Sequence, residues 1–139
     1  MGTKQDIEEG VEFIPKFDDN GLITAIAQDS QSGQILMVAY MNRQALDLTI
    51  QTGYATYFSR SRQKLWKKGE QSGHVQKVEQ ILVDCDQDCL ILKVIADAGQ
   101  CHVGYRSCFY RVLKNNTDKR LEFIADKVYD PKKIYRKQS

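Results

Sequence analysis

Residues 74–96 read HVQKVEQILVDCDQDCLILKVIA, and this stretch is the strongest indication of the fold in the sequence. The runs His74–Cys85 and Cys89–Ala96 are typical of two strands, with the acidic segment Asp84–Asp88 at or near the turn of their hairpin. The second run is apolar on both faces, and such a strand needs cover on both sides. Because one small domain supplies that cover poorly, the stretch predicts a hairpin and favours a dimer.

Three aspartates stand at alternate positions of the acidic segment: Asp84, Asp86 and Asp88. Three carboxylates packed this closely repel one another unless water screens them or a cation lies among them. Oxygen ligands of this kind suit a hard cation such as Mg²⁺ or Ca²⁺. The alternative is a solvated acidic turn, since Asp is common in turns. An EF-hand is disfavoured, because the required Gly and the distant Glu do not follow.

Cys85 lies inside the acidic triplet. In extended backbone its side chain points away from those of Asp84 and Asp86. One strand therefore cannot easily direct both ligand types at one ion. Either two metals are bound, or Cys85 serves a site on another segment or another chain.

Two later cysteines, Cys101 and Cys108, are the obvious co-ligands for Cys85. Thiolates select a softer ion than carboxylates do, and Zn²⁺ is the usual one. Three thiolates leave a fourth position open for water, as in a catalytic zinc site. Cys89 either completes a closed set of four thiolates or is a buried strand thiol.

Outward from this stretch, the pattern predicts a single β-rich α+β domain of antiparallel strands and hairpins in a roll- or barrel-like sheet, intertwined with a second copy as a homodimer. The one main helix spans about residues 43–52, between a capping Asn42 and Gly53. The core is expected at about 13–124, with a charged C-terminal tail at about 125–139. The remaining predicted elements are a hairpin of residues 22–28 and 35–41, strands at 54–59, 105–113 and 119–124, and a loop at 60–73.

The bulk composition narrows the functional classes. A chain of 139 residues fits one domain, and a net charge of +2 does not by itself argue for nucleic acid. No apolar run is long enough for a membrane span, and the first residues lack the apolar part of a secretion signal. The expected location is the cytoplasm, where thiols stay reduced and cysteines serve as metal ligands or buried thiols.

These motifs, in order along the chain, resemble those of the phosphoribosyl-AMP cyclohydrolase family. The similarity runs from about Gly21 to Arg111. At Gln87 the family often has Gly, a difference that alters the ease of a tight turn. The matching segments are GLITAIAQD at 21–29, MVAYMN at 37–42, SRSR at 59–62, LWKKGEQSGH at 65–74, DCDQD at 84–88, CHVG at 101–104 and RSCFY at 106–110.

The resemblance implies a homodimeric enzyme of the third step of histidine biosynthesis. Such an enzyme adds water at carbon 6 of the adenine ring of phosphoribosyl-AMP and opens that ring. It implies Mg²⁺ on Asp84, Asp86 and Asp88. It implies Zn²⁺ on Cys101, Cys108 and Cys85 of the partner subunit.

The resemblance also suggests roles for other residues. The family reaction needs a proton donor, and the only two histidines, His102 and His74, are the candidates, with His102 ranked first for its position beside Cys101. Trp66 stacks on the base or is a partly buried core aromatic. The basic loop binds the two phosphates of the substrate or is simply solvated. The expected substrate-binding residues are Ser59, Arg60, Ser61, Arg62, Trp66, Lys68, Glu70 and Ser72.

Two other classes compete with this hypothesis. A structural zinc protein that binds nucleic acid is favoured by the basic loop and Trp66, but the acidic triplet and the open three-thiolate arrangement count against it. A thiol-redox protein is weaker, because the sequence has no C-x-x-C motif. The expected partners are therefore a small nucleotide and a second copy of the chain, with no nucleic acid and no membrane.

Overall fold

Short runs of β-branched and apolar residues form most of the regular structure. The computed structural model describes residues 3–96, 99–114 and 119–130. The α+β class and the predominance of strands are confirmed. The helices are α1 (Lys4–Glu9) and α2 (Arg43–Thr52), and the strands are β1 (Ile23–Asp29), β2 (Ile35–Met41), β3 (Thr56–Ser59), β4 (Lys64–Lys67), β5 (Gln76–Val83), β6 (Cys89–Ala96), β7 (Arg111–Leu113) and β8 (Leu121–Phe123).

The main helix α2 forms where its capping residues predict it. The Asn42 side chain accepts a hydrogen bond of 2.8 Å from the Ala45 N–H, which satisfies one of the free donors at the helix start. Gly53 ends the helix in the left-handed conformation, with φ of 80°. Ala45 and Leu46 join the buried cluster of the sheet, so α2 covers one sheet face.

The largest sheet is mixed and has the order β2-β1-β6-β5. Both predicted hairpins are confirmed, because β1 pairs antiparallel with β2 and β5 pairs antiparallel with β6. The two hairpins join through a parallel pairing of β1 with β6. The prediction of a roll- or barrel-like sheet is wrong: none of the sheets among the described residues closes. The apolar β6 takes an interior position, which leaves β2 and β5 at the edges.

The two faces of this sheet differ in cover. On one face Ala25, Ala27, Leu90 and Leu92 are fully buried in the core. On the other face the strand register aligns an apolar row across the sheet, and its outer members are 43% exposed (Val38) and 40% exposed (Leu82). The row consists of Val38, Ile26, Ile91 and Leu82.

Two further predictions need correction, and one element was missed. The segment 60–73 contains β4, which pairs antiparallel with β3 after a turn at Gln63, so it is not one long loop. The strand predicted at 105–113 is only Arg111–Leu113, because the residues before it fold as a loop. The short helix Lys4–Glu9 was not predicted. The strands predicted at 54–59 and 119–124 are confirmed with shorter bounds.

The charged tail predicted at 125–139 is described only to residue 130, and the remainder of that prediction lies outside the described residues. The described part contacts the body of the protein, since the Val128 N–H donates a hydrogen bond of 2.7 Å to the Gly104 carbonyl. None of the helices in the described ranges is long and apolar enough to cross a membrane.

Candidate active site

The acidic segment forms a tight turn that brings three carboxyl groups together. The turn closes through hydrogen bonds that Asp84 accepts: its carbonyl from the Gln87 N–H at 3.1 Å, and its carboxyl oxygen from the N–H groups of Asp88 and Cys89 at 3.0 and 3.1 Å. One carboxyl oxygen from each of Asp84, Asp86 and Asp88 lies within 4.8 Å of the other two. The backbone here is turned rather than extended, so alternation along a strand does not explain the convergence.

Hydrogen bonding within the turn affects the pKa of Asp84 and that of Asp88 in opposite directions. Partial burial raises the pKa of Asp84, but hydrogen bonds from Asp88, from the Cys89 N–H and from Asp86 more than offset it, so that pKa is lowered. Side-chain hydrogen bonds with Asp86 and Asp84 raise the pKa of Asp88 to about 6. Near neutral pH the turn therefore carries closely spaced negative charge, which a divalent cation would neutralise.

The two later cysteines lie together in a loop that follows β6. Cys101 is buried, whereas Cys108 is exposed when all of its atoms are taken together. The thiol of Cys108 is nevertheless desolvated: burial, the charge of Cys101 and a hydrogen bond with Cys101 raise its pKa to about 12, against the effect of the Lys68 ammonium. The two sulfur atoms thus form one pair of possible metal ligands, with the Lys68 ammonium beside it.

Contacts distant in sequence hold this thiol loop, residues 99–108, in place. The Cys108 N–H donates to the Leu36 carbonyl at 2.7 Å, and the Ser107 hydroxyl donates to the Ile35 carbonyl at 2.7 Å. Arg106 forms an ion pair of 3.2 Å with Asp29. The start of β2 and the end of β1 therefore fix the second half of the loop.

Buried amides hold the first half of the thiol loop. Gln100 is 1% exposed and accepts a hydrogen bond of 3.0 Å from Gln76, whose own oxygen accepts one of 2.6 Å from the Tyr57 hydroxyl. The Lys68 ammonium donates to the Gln100 carbonyl at 2.7 Å, and burial lowers the pKa of Lys68. Sequence reasoning missed these glutamines, since nothing local marks an amide as buried.

The acidic turn and the thiol loop lie at opposite ends of the main sheet. The turn immediately precedes β6 at Cys89, whereas the loop contacts Asp29 and Leu36, which lie beside the end of β6 at Val94. The eight residues of β6 correspond to roughly 25 Å at about 3.3 Å per residue. Among the described residues, three ligand-type side chains meet only at the acidic turn. Cys85 is exposed and does not join Cys101 and Cys108 within one chain.

The two histidines occupy different environments. His74 is half-buried, and its ring makes an edge contact of 4.9 Å between centroids with Tyr129. The Tyr129 hydroxyl donates a hydrogen bond of 2.6 Å to the Cys101 carbonyl, so His74 lies next to the thiol loop through this tyrosine. Gly99 allows this approach, because a Cβ there would collide with the Tyr129 ring. His102 is exposed within the same loop.

The predicted substrate-binding residues divide into two groups. Ser59, Arg60 and Ser61 line an open cavity of about 560 Å³ beside Tyr40, and the Arg60 guanidinium lies 4.1 Å from the centre of the Tyr40 ring. The Ser59 hydroxyl accepts a hydrogen bond of 3.2 Å from the Arg62 N–H.

The second group, Trp66, Lys68, Glu70 and Ser72, begins in β4. Lys68 lies beside the thiols, and the Ser72 hydroxyl accepts a hydrogen bond of 3.2 Å from the His74 N–H. Trp66 is half-buried, packs against the core and lies 5.3 Å from the Tyr57 ring, which matches the core alternative for this residue. Glu70 is exposed after the turn at Gly69, where the close backbone of His74 and Val75 leaves no room for a Cβ.

The donor sets fit two different metals. Three converging carboxylates provide the oxygen ligands that a hard divalent cation prefers. A pair of thiols provides two of the soft ligands of a zinc site and needs at least one more from elsewhere. Cys89 begins β6 half-buried beside the acidic turn, at the end of the sheet opposite to the thiol pair, so it does not complete that pair within one chain. Burial, followed by the charges of Asp84 and Asp88, raises its pKa.

Comparison with known proteins gives one consistent result. A family model described as phosphoribosyl-AMP cyclohydrolase matches residues 37–110. A protein of that name from Methanococcoides burtonii is 58% identical over 120 residues, covering 86% of this chain and 94% of the relative. One from Rhodopseudomonas palustris is 54% identical over 95% of this chain and 90% of its own length, and one from Chlorobium limicola is 48% identical over all of both chains.

Proposed function

We propose a mechanism for this chain, which belongs to the phosphoribosyl-AMP cyclohydrolase family. The chain is a hydrolase of histidine biosynthesis that acts on a carbon–nitrogen bond of phosphoribosyl-AMP. The observation that carries this function is the 48% identity that extends over the whole of both chains in one relative of that name. With this family shown, the nucleic-acid and thiol-redox hypotheses lose their support.

Two metal sites follow from the donor sets. Asp84, Asp86 and Asp88 would hold Mg²⁺, and Cys101 with Cys108 would hold Zn²⁺ together with Cys85 of the partner subunit. When bound, zinc supplies a water whose pKa is about 7 instead of about 16, and magnesium neutralises negative oxygens. The buried Gln100 and the Lys68 ammonium hold the thiol loop in shape for this role.

Two observations support the homodimer. The apolar row on the open face of the sheet includes Val38 and Leu82, each exposed by two-fifths or more in a single chain, and a second copy would bury it. The acidic turn and the thiol loop lie at opposite ends of the sheet, so one chain cannot bring Cys85 to its own thiol pair. A two-fold arrangement in which each turn meets the other chain's loop satisfies both sites.

The proton needed at the leaving ring nitrogen would come from a histidine. Water adds at carbon 6 of the adenine ring, the bond from carbon 6 to the ring nitrogen breaks, and that nitrogen takes up a proton. His102 stands next to a zinc ligand in sequence, whereas His74 is held beside the same loop by Tyr129. We rank His102 above His74 as the proton donor, because His102 is exposed to an incoming substrate.

The basic residues would bind the two phosphates. Arg60 is anchored over Tyr40 at the mouth of a cavity, and Ser59 and Ser61 present hydroxyl groups to the same space. Arg62 adds a second guanidinium, suited to paired hydrogen bonds with phosphate oxygens. Lys68 lies beside the thiol loop and, with Glu70 and Ser72, would contact the reacting end of the substrate. Trp66 contributes through packing behind Tyr57. The cytoplasmic location stays a prediction.

Subunit complementation tests the shared zinc site. Cys85→Ser and Cys108→Ser chains carry different affinity tags and are expressed together, so that the mixed dimer can be isolated. Each pure variant is expected to lose zinc and turnover of phosphoribosyl-AMP. The mixed dimer regains one complete site of two and is expected to show about half of the wild-type activity. Zinc content is measured on the same samples.

The matched control combines Cys101→Ser with Cys108→Ser, since both changes affect the same thiol pair. This mixed dimer has no complete site and is expected to stay inactive. Absence of recovery in the first mixed dimer would contradict a zinc site shared between chains. Full activity of Cys85→Ser alone would remove Cys85 from the ligand set, while the turnover of the wild-type chain tests the activity itself.

A further inference from the structure

Gln87 sits at the centre of the acidic turn in a conformation that is unusual for its residue type. Its φ is +59°, in the left-handed region where a residue with a Cβ is strained by about 1 kcal/mol. Unlike the three exposed aspartates around it, Gln87 is only 6% exposed. A turn that required only this backbone shape would be served better by glycine, so the side chain needs its own explanation.

The Gln87 side chain is fully engaged by the N-terminal segment, residues 3–17. Its oxygen accepts a hydrogen bond of 2.6 Å from the Ile14 N–H. Its nitrogen donates to the carbonyls of Ile7 and Glu12 at 3.0 and 3.2 Å. The Gln87 carbonyl accepts a fourth bond, of 2.7 Å, from the Lys16 N–H. One residue of the turn therefore pairs with the backbone of four residues more than 70 positions earlier in the chain.

These contacts tie the geometry of the acidic turn to the N-terminal segment. Gln87 lies between Asp86 and Asp88, so its φ and its position set the direction in which both carboxyl groups leave the turn. The N-terminal segment and the turn also enclose a cavity of about 430 Å³, lined by Val11, Phe13, Asp84 and Cys85 among others. A movement of the N-terminal segment would therefore displace the three acids and Cys85 together.

We propose that Gln87 is a positioning residue for the metal site, because its side chain fastens the N-terminal segment to the acidic turn and thereby fixes Asp86 and Asp88 for a divalent cation. The inference rests on the proposed metal role of the three acids. The N-terminal segment lies outside the part of the chain that the family model matches, and it thus contributes to the site without supplying a ligand.

The test compares Gln87→Met with Gln87→Gly in the full-length, zinc-loaded protein after removal of magnesium. Met keeps the size and the strained φ but loses all side-chain hydrogen bonds, whereas Gly relieves the strain and also loses them. Lys119→Gly is the matched control, since Lys119 is exposed, has a similar φ of 52° and lies just before β8, which pairs with β7 and not with the main sheet. Binding of Mn²⁺ is titrated, and exchange of the Ile14 and Lys16 amides is followed.

Both Gln87 variants are expected to bind Mn²⁺ about 10-fold more weakly, as is usual when an outer partner of a ligand is lost. Their Ile14 and Lys16 amides should exchange faster, and activity should fall at limiting Mg²⁺ but recover at saturating Mg²⁺. Lys119→Gly should match the wild type in every measurement.

Two results would overturn the proposal in different ways. Rapid exchange at Ile14 with unchanged Mn²⁺ affinity in Gln87→Gly would show that the segment detaches without consequence for the acids. If the Asp86→Asn variant instead binds Mn²⁺ as tightly as the wild type does, the acidic turn has no metal role. Gln87 then has no positioning role either.

Discussion

The acidic turn and the thiol loop are both short, ligand-rich and adjacent to β6, yet they are built in different ways. All hydrogen bonds that close the acidic turn lie between Asp84 and Cys89. The thiol loop is held by partners in β1, β2 and β5 and by Lys68 and Tyr129. The first site is local and exposed, whereas the second is a product of tertiary packing.

Because the two sites are built differently, different substitutions should damage each of them. A change within residues 84–88 should alter divalent binding and leave the thiol loop in place. A change far away in sequence should loosen the thiol loop and leave the acidic turn unchanged. Gln87 is the exception in the acidic turn, because it alone extends the turn to a distant segment.

The largest effect is expected from Asp84→Ala. This change removes one carboxylate and the acceptor for the N–H groups of Asp88 and Cys89, so Mn²⁺ affinity should fall by about 100-fold. Asp84→Asn keeps the acceptor oxygen and should lose less. Amide exchange at Cys101 and Cys108 should stay at the wild-type rate in both variants. Faster exchange there would show that the two sites are coupled within one chain.

A smaller effect is expected at Tyr129. Tyr129→Phe removes the hydroxyl that donates to the Cys101 carbonyl, at a cost of about 1 kcal/mol or about 5-fold in zinc affinity. Tyr129→Leu also removes the ring edge beside His74 and should weaken zinc binding by about 10-fold. Competition with a zinc chelator measures both. Equal zinc affinity of the wild type and both variants would mean that the hydrogen bond from the Gly104 N–H to the Cys101 carbonyl suffices to hold Cys101.

The smallest effect on metal binding is expected from Asp29→Asn, which removes the ion pair with Arg106. Hydrogen bonds from Ser32, followed by the charge of Arg106, lower the pKa of Asp29 against the effect of burial. A lowered pKa means that the carboxylate stabilises the fold above about pH 4 and that this contribution is lost as pH falls through the folded pKa. Urea unfolding at pH 7 should show a loss of about 1 kcal/mol.

At pH 2.5 the same comparison should show a smaller difference, because the Asp29 carboxyl of the unfolded chain is then protonated and the stabilisation that comes from its lowered pKa in the fold is reduced. A difference that is constant over this range would mean that Asp29 acts through its shape and not through its charge. The acidic turn provides the contrast within the molecule, since Mn²⁺ affinity at pH 7 should be the same in Asp29→Asn and the wild type.

Local signals in the sequence predicted several elements correctly. Asn42 and Gly53 mark the ends of α2, because caps depend on a few neighbouring residues. Runs of apolar and β-branched residues, separated by turn-forming residues, predicted both hairpins of the main sheet. The strand β4 was missed because polar and basic residues dominate its surroundings, and its two half-buried residues, Leu65 and Trp66, are adjacent and give no alternating period. The parallel pairing of β1 with β6 has no local signal, since the two strands lie 60 residues apart.

The acidic turn, the main helix, the hairpins and the set of ligand-type residues could be predicted from the sequence, because each depends on the chemistry of neighbouring residues. Tertiary packing places the acids and the thiols at opposite ends of one sheet. It also brings Gln76, Gln100 and Tyr129 behind the thiol loop and Gln87 under the N-terminal segment. Those arrangements depend on which buried polar groups find partners across the fold, and that matching becomes defined only once the strands are packed.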